Sequence, residues 1–429
     1  MELKRVVVTG LGALTPIGND VESTWKAAVN GESGAGPITH FDASQFKTQF
    51  ACEVKGFDPS AHFDRKKARQ LDLYAMYALV AAKEAVEDAG LENEGIDKNR
   101  VGVVFAAGIG GLHTFEEEAG YYATHADKGP MYNPFIIPKM IADIAAGHIS
   151  IDYGFRGPNF ATVSACASSN NAIIDAFNLI RLGQADAIVA GGAEAAVFPA
   201  GVGGFNSMKA LSTRNDSPES ASRPFSGSRD GFVIGEGAAA IVLEEYEHAK
   251  ARGAKIYAEI AGGGMSADAY HITATHPEGL GASLVMENAL RDAGMKPEDI
   301  DYINAHGTST PVGDPVEVLA IKTLFGWSDP ESEMPAELKV KIPPVSSTKG
   351  NTGHLMGAGG ITEVIACIKA IETGILPPTL NYTTPDPKCD LDFVTEGPRK
   401  AKIDVAMSNA LGFGGQNSSI IVKRYVEEK

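Results

Sequence analysis

Two rhythms of apolar and polar positions alternate along the chain. Short unbroken apolar runs read as strands buried on both faces. They stand at residues 6–9, 101–105, 187–192, 238–243, 258–264, 300–305, 405–408 and 418–423, with a further one near Val345. Between them, apolar residues recur every third or fourth position. This spacing predicts helices at 23–30, 71–81, 139–147, 172–179, 281–293, 314–325 and 359–372. Strands alternating with helices define an α/β protein. The succession runs twice in comparable order, which divides the chain into residues 1–255 and 256–429 and suggests a duplication of structure. The remaining segments are irregular. Residues 132–137 form an apolar stretch with Phe135 between prolines, suited to a tunnel wall or a subunit interface. Residues 202–208 are expected to be mobile, 211–225 to be a polar surface loop, and 327–341 to be a polar insertion.

Glycines follow several strands. Gly10, Gly12 and Gly18 do not match G-x-G-x-x-G, so they predict close backbone packing rather than a dinucleotide site. The turn at 108–111 is equally weak as a phosphate cradle. At 429 residues, with 48 glycines and 7% aromatics, the chain suits tightly packed α/β layers. Its formal net charge of -17 argues against nucleic acid or anionic lipid as the main partner. One local exception is the basic cluster Arg65, Lys66, Lys67 and Arg69, either a solvated helix start or a landing patch for an acidic partner. No apolar run reaches membrane-spanning length, and residues 1–10 read as a strand rather than a signal peptide. The four cysteines, Cys52, Cys166, Cys367 and Cys389, show no C-x-x-C spacing, so a reducing cytoplasm is the expected setting.

Cys166 is the candidate nucleophile. It lies in Val163-Ser164-Ala165-Cys166-Ala167-Ser168-Ser169, between an extended run at 159–163 and an apolar helical pattern. A turn there presents the side chain, and the free N–H groups of a first helical turn favour a thiolate. A buried structural cysteine is the competing reading. His306 and His354 are the candidate bases, each in a small-residue turn, Ala305-His306-Gly307-Thr308-Ser309-Thr310 and Lys349-Gly350-Asn351-Thr352-Gly353-His354. No cysteine adjoins either histidine in sequence and H-E-x-x-H is absent, so a metal site is disfavoured. Glu363 falls among apolar helix positions and needs a partner, for which Lys349 is the choice. Asp314 and Glu317 are expected to cap the helix that Pro315 opens.

With these pieces assembled, the chain resembles the β-ketoacyl-[acyl-carrier-protein] synthases, the condensing-enzyme branch of the thiolase superfamily. The likeness runs from Val6 to Lys423. It rests on Ala165-Cys166-Ala167, Gly191-Gly192-Ala193-Glu194, Leu211-Ser212-Thr213-Arg214-Asn215, Arg229-Asp230-Gly231-Phe232, the two histidine turns and residues 409–415. The resemblance implies a thiolase-like duplicated five-layer α-β-α-β-α core and a cytoplasmic homodimer. It implies decarboxylative condensation of a Cys166-bound acyl chain with malonyl-acyl-carrier protein, adding two carbons, with no metal, flavin or nicotinamide cofactor. Carried over residue by residue, His306 and His354 assist decarboxylation, with Lys349 and Glu363 behind them. Phe413 is the gate, and its N–H joins that of Cys166 as an oxyanion hole. Ile109 matches a position that influences chain length, and Phe135 the residue a partner subunit places near the pocket end. Thr308 and Thr310 match hydroxyls near the phosphopantetheine arm; Arg65, Lys66, Arg69 and Lys209 match carrier contacts. One departure is Ser168-Ser169, where many members have a glycine. A chain-length partner would lack Cys166, and a thiolase would place a second cysteine in a glycine-rich turn, which Cys389 does not occupy. Ketosynthases for unsaturated, polyene or secondary-metabolite chains remain open alternatives.

Overall fold

The computed structural model of the chain describes residues 3–327 and 340–427, so most of the polar insertion expected at 327–341 lies outside the described residues. Ten strands pair into one hydrogen-bonded sheet. In chain order they are β1 (Val6–Leu14), β2 (Val101–Ala106), β3 (Asn159–Phe160), β4 (Ala187–Glu194), β5 (Gly237–Glu245), β6 (Ala258–Ala267), β7 (Tyr302–Asn304), β8 (Val345–Ser346), β9 (Val405–Gly412) and β10 (Gln416–Lys423). From the centre outward, one arm runs β1-β5-β4-β2-β3 and the other β6-β10-β9-β7-β8. Each strand of the second arm is therefore the counterpart of the strand five places earlier. The ladders agree too, since in both arms the two inner pairs are antiparallel and the two outer pairs parallel. The arms meet where β1 and β6 pair antiparallel, Val7 with Glu259 and Val8 with Ala258. The duplication that the sequence shows only as a repeated order of elements is explicit in this topology.

Helices complete the layers. They are α1 (Val21–Val29), α2 (Leu73–Ala89), α3 (Ile144–Tyr153), α4 (Ser168–Arg181), α5 (Leu280–Ala293), α6 (Gly313–Leu324) and α7 (Gly359–Thr373). Helices α4 and α7 pack on each other and on strands of both arms. Helices α2 and α3 cover the outer face of the first arm, and α5 with α6 that of the second, which gives the α-β-α-β-α order. The period of two in each strand decides the faces. On β4, Ile188 and Ala190 face the central cluster with α4 and α7, while Ala187 and Val189 face α2. On β10, Ile420 and Val422 face inward and Ile421 faces α5. Gly10 and Gly12 serve packing, as expected. A Cβ on either would lie 2.2 or 2.0 Å from a carbonyl oxygen of α2, so only glycine lets that helix seat on β1.

Several expectations need correction. Residues 202–207, expected to be an irregular mobile stretch, belong to a helix, Pro199–Ser207, whose Val202 is fully buried and whose C-cap is Met208. The helix expected at 139–147 is two, Ile136–Met140 and α3. Pro138 falls in the first turn of the shorter one, where a missing N–H costs nothing, so the helix begins earlier than the sequence pattern implied. Segment 211–225 is irregular but not superficial, with Leu211, Ser212, Arg223 and Phe225 buried. The buried Arg223 guanidinium donates to the carbonyls of Ala221 and Ser228 and to Asp230, which makes its burial tolerable.

Candidate active site

Cys166 stands at the bend between β3 and α4. Of the extended run only Asn159 and Phe160 pair, because the chain then breaks into a single 3-10 turn, Ala165–Ala167, that feeds α4. Ala165 has φ +50°, a left-handed conformation unfavourable for a residue with a Cβ. Ser168 holds this bend. Its hydroxyl accepts the Ser164 N–H at 2.8 Å and donates to the Ala165 carbonyl at 2.7 Å. Ser169 accepts the N–H of Ile361 in the first turn of α7 at 3.0 Å. The Ser168-Ser169 departure thus supplies two stitches in the elbow. The second arm repeats the elbow at the start of α7, where the 3-10 turn Met356–Ala358 has Met356 at φ +48°. Cys166 is the middle residue of one elbow and Gly357 the middle residue of the other.

The three chemical groups, far apart in sequence, converge. His354 Nε2 lies 3.0 Å from Cys166 Sγ. The His306 ring stands edge-on to His354, centroids 5.3 Å apart at 87°. Sequence separation misled on one point, since the sulfur and a nitrogen of each imidazole lie within 4.8 Å of one another, a donor set able to hold a soft metal ion. The His306 turn is fixed from behind. Glu317 accepts the N–H groups of His306 and Gly307 at 2.7 and 2.8 Å, and Asp314 accepts those of Phe225 and Thr310 at 2.8 and 3.2 Å. Neither carboxylate caps its own helix as expected. Both are spent on the catalytic turn, because α6 starts directly beneath it. Lys349 and Glu363 form the expected buried ion pair.

Burial dominates the electrostatics. Both imidazoles are held well below their usual range, first by burial and then by the Lys349 ammonium, so both rings are neutral near pH 7. Burial raises Glu363 to about 7 against the pull of Lys349, and Glu317 to about 7 against the N–H groups it accepts. Burial also pushes the Cys166 thiol up to about 11, with Lys349 and the N–H groups of Phe413 and Cys166 itself pulling the other way. The N–H groups of the turn favour a thiolate, as expected, but together with Lys349 they lower the thiol less than desolvation raises it.

Cys166, His306 and His354 open on a largely apolar cavity of about 490 Å³. Ile109, Thr308, Thr310 and Phe413 line it, as the sequence placed them, and so does Lys209, which was expected only as a carrier contact. The Thr308 and Thr310 hydroxyls are 3.1 Å apart. Phe135 does not line this chain's own cavity; it is exposed at the start of helix Ile136–Met140. Arg65, Lys66 and Arg69 are exposed on the short helix Arg65–Ala68 and its cap, whereas Lys67 pairs with Asp152. Sequence reasoning gave no role to Phe232, edge-on to His354 at 5.4 Å, or to Glu194, fully buried at the cavity. Their signal was an aromatic after Asp230-Gly231 and a carboxylate closing an apolar strand, neither of which announces a contact.

A strained cysteine elbow, two neutral histidines and a buried lysine–glutamate pair, on a duplicated α-β-α-β-α core, define a condensing enzyme. The chain belongs to the β-ketoacyl synthase family. Residues 3–249 match "Beta-ketoacyl synthase, N-terminal domain" and residues 257–383 match "Beta-ketoacyl synthase, C-terminal domain". It is similar to 3-oxoacyl-[acyl-carrier-protein] synthase 2 of Coxiella burnetii, 49% identical over 425 residues that cover 99% of each chain. The enzyme of the same name from Synechocystis sp. is 48% identical over 426 residues, again 99% of each. Among solved structures, a β-ketoacyl synthase from Burkholderia phymatum superposes with TM-score 0.87 at 36% identity, covering 99% of this chain and 100% of that one. A type II PKS acyl-carrier protein in complex with its ketosynthase bound to the hexaketide gives TM-score 0.89 at 34% identity, with the same coverage.

Proposed function

We propose that this chain is a 3-oxoacyl-[acyl-carrier-protein] synthase of fatty acid elongation. Full-length relatives of that name at 48–49% identity support this over a polyketide role, for which the solved ketosynthase is 34% identical. The observation that carries the chemistry is the 3.0 Å contact between Cys166 Sγ and His354 Nε2, with His306 facing the same space.

The reaction follows from these groups. An acyl-carrier protein brings its thioester to the cavity, and Cys166 sulfur attacks the carbonyl. The thiol proton leaves as the S–C bond forms; His354 Nε2 is in reach to relay it to the departing carrier sulfur. The N–H groups of Cys166 and Phe413 hold the tetrahedral oxyanion. Malonyl-acyl-carrier protein then binds. Its carboxylate leaves as carbon dioxide, and the bonding electrons pass to an enolate whose oxygen accepts N–H bonds from neutral His306 and His354. The enolate carbon attacks the Cys166 thioester. Collapse frees the Cys166 sulfur, which takes up a proton from solvent, and releases a carrier-bound 3-oxoacyl chain two carbons longer. Lys349 helps keep both rings neutral, and Glu363 balances the ammonium. Every step is covered by these side chains and backbone groups, so the reaction is assigned no metal, flavin or nicotinamide.

The working unit is assigned as a cytoplasmic homodimer. Among the described residues strand β3 pairs on one side only, and Phe115, Met131, Tyr132, Phe135 and Ile137 are exposed in the single chain, apolar surface suited to a second copy. That surface would bring Phe135 to the partner's pocket. Arg65, Lys66, Arg69 and Lys209 are the exposed cations assigned to the acidic carrier. Among the described residues, no helix is long and apolar enough to cross a membrane. Incubation with acyl- and malonyl-acyl-carrier proteins tests the reading: mass spectrometry of the carrier should show a 3-oxoacyl chain two carbons longer. Carrier returned without elongation at any chain length contradicts it.

A further inference from the structure

Glu194 closes β4 with no exposed surface, and no lysine or arginine pairs with it among the described residues. Its carboxylate is enclosed by backbone N–H groups instead. Oε2 accepts from Gly108 at 2.8 Å and Gly357 at 3.2 Å, Oε1 accepts from Gly110 at 3.3 Å, and Ile109 lies 3.2 Å from both oxygens. Three of these donors belong to the turn that carries Ile109 into the cavity. The fourth is the middle residue of the second elbow, just beyond His354. Here two backbones touch. A Cβ on Gly108 would fall 2.5 Å from Glu194 Oε2, and one on Gly357 would fall 2.2 Å from the Gly108 nitrogen.

Ile109 lines the cavity yet is 43% exposed, so packing does little to seat it; its backbone does. A carboxylate is suited to this place because both oxygens accept and neither donates. We propose that Glu194 is a positioning residue that sets acyl-chain selectivity, by fixing the backbone beneath Ile109 and tying that wall of the pocket to the elbow after His354. The inference rests on the condensing-enzyme reading above. An acyl chain reaching past Ile109 must then move its side chain against a fixed backbone. In Glu194→Gln the amide offers one accepting oxygen and turns N–H donors toward N–H donors. One set of bonds is lost, the wall loosens, and long chains gain relative to short ones.

The test is the rate of Cys166 acylation from carrier proteins bearing short and long saturated chains, read by intact mass. Glu194→Gln is expected to raise the long-to-short ratio of kcat/KM by about fivefold, the size of one lost hydrogen bond. Ile109→Ala should shift the same ratio, and the double variant should show no further shift, since both act through one wall. Glu194→Asp keeps two accepting oxygens on a shorter arm and should fall between; it carries the test if the glutamine variant does not fold. Uniform slowing of both chain lengths, or ratio shifts that multiply in the double variant, overturns the inference while leaving the functional reading intact. A wild-type chain that takes up no acyl group overturns both.

Discussion

Cys166 sits in a balance that decides how the first half-reaction must run. Burial raises its thiol to about 11, and burial with Lys349 holds the two histidines well below their usual range. Neither a thiolate nor an imidazolium is the resting form, so deprotonation accompanies attack. The alkylation rate of Cys166 by iodoacetamide should therefore climb steadily from about pH 7 to about pH 9. A plateau beginning below about pH 8 would show a thiolate already formed. The Lys349–Glu363 pair gives a second prediction. Lys349→Met leaves Glu363 buried without its cation and should cost about 3–5 kcal/mol in denaturant unfolding at about pH 9, where Glu363 beside Lys349 is ionised. Burial raises Glu363 to about 7 even with its partner present. A raised carboxyl stabilises the folded state below its unfolded pKa and loses that effect as pH rises through the folded value. The loss in Lys349→Met should therefore shrink as pH falls toward about 5, where Glu363 is protonated. A loss that grows on acidification would contradict this.

At the scale of elements, the two elbows explain both what the sequence revealed and what it hid. The Cys166 elbow was legible because an apolar helical pattern begins at Ala172, shortly after a cysteine flanked by alanines. The Met356–Ala358 elbow was not, because Gly357 carries no reactive side chain and only topology shows it to be the counterpart. The Lys349–Glu363 pair was legible because a carboxylate among isoleucines demands a cation. Asp314 and Glu317 were misread because the donors they accept from, N–H groups of the His306 turn, are backbone and leave no mark in composition. Strand rhythm gave the cores but not the order of strands, which depends on ladders between residues hundreds of positions apart. Ser169 joins the two elbows across the centre of the molecule. Ser169→Ala should leave the Ile361 N–H without its acceptor and cost about 1–3 kcal/mol in thermal or denaturant unfolding. A change near zero would mean another acceptor replaces it.

At the scale of the whole molecule, duplication places the parts. The first arm supplies the nucleophile at the start of α4, and the second supplies His306 just after β7 and His354 just before the Met356–Ala358 turn. Helices α4 and α7 pack against each other between the arms, so the sulfur and the imidazoles meet where neither arm alone could bring them. The cavity draws on both arms as well, with Ile109 from the first and Thr308, Thr310 and Phe413 from the second. The most direct test of this account is intact mass after incubation of the freshly reduced protein with an acyl-carrier protein, followed by peptide mapping. The account predicts a gain of one acyl group, located on Cys166, absent from Cys166→Ala, and discharged when malonyl-acyl-carrier protein is added. An acyl group on another residue, or none from short to long chains with a carrier shown to be active, would contradict it.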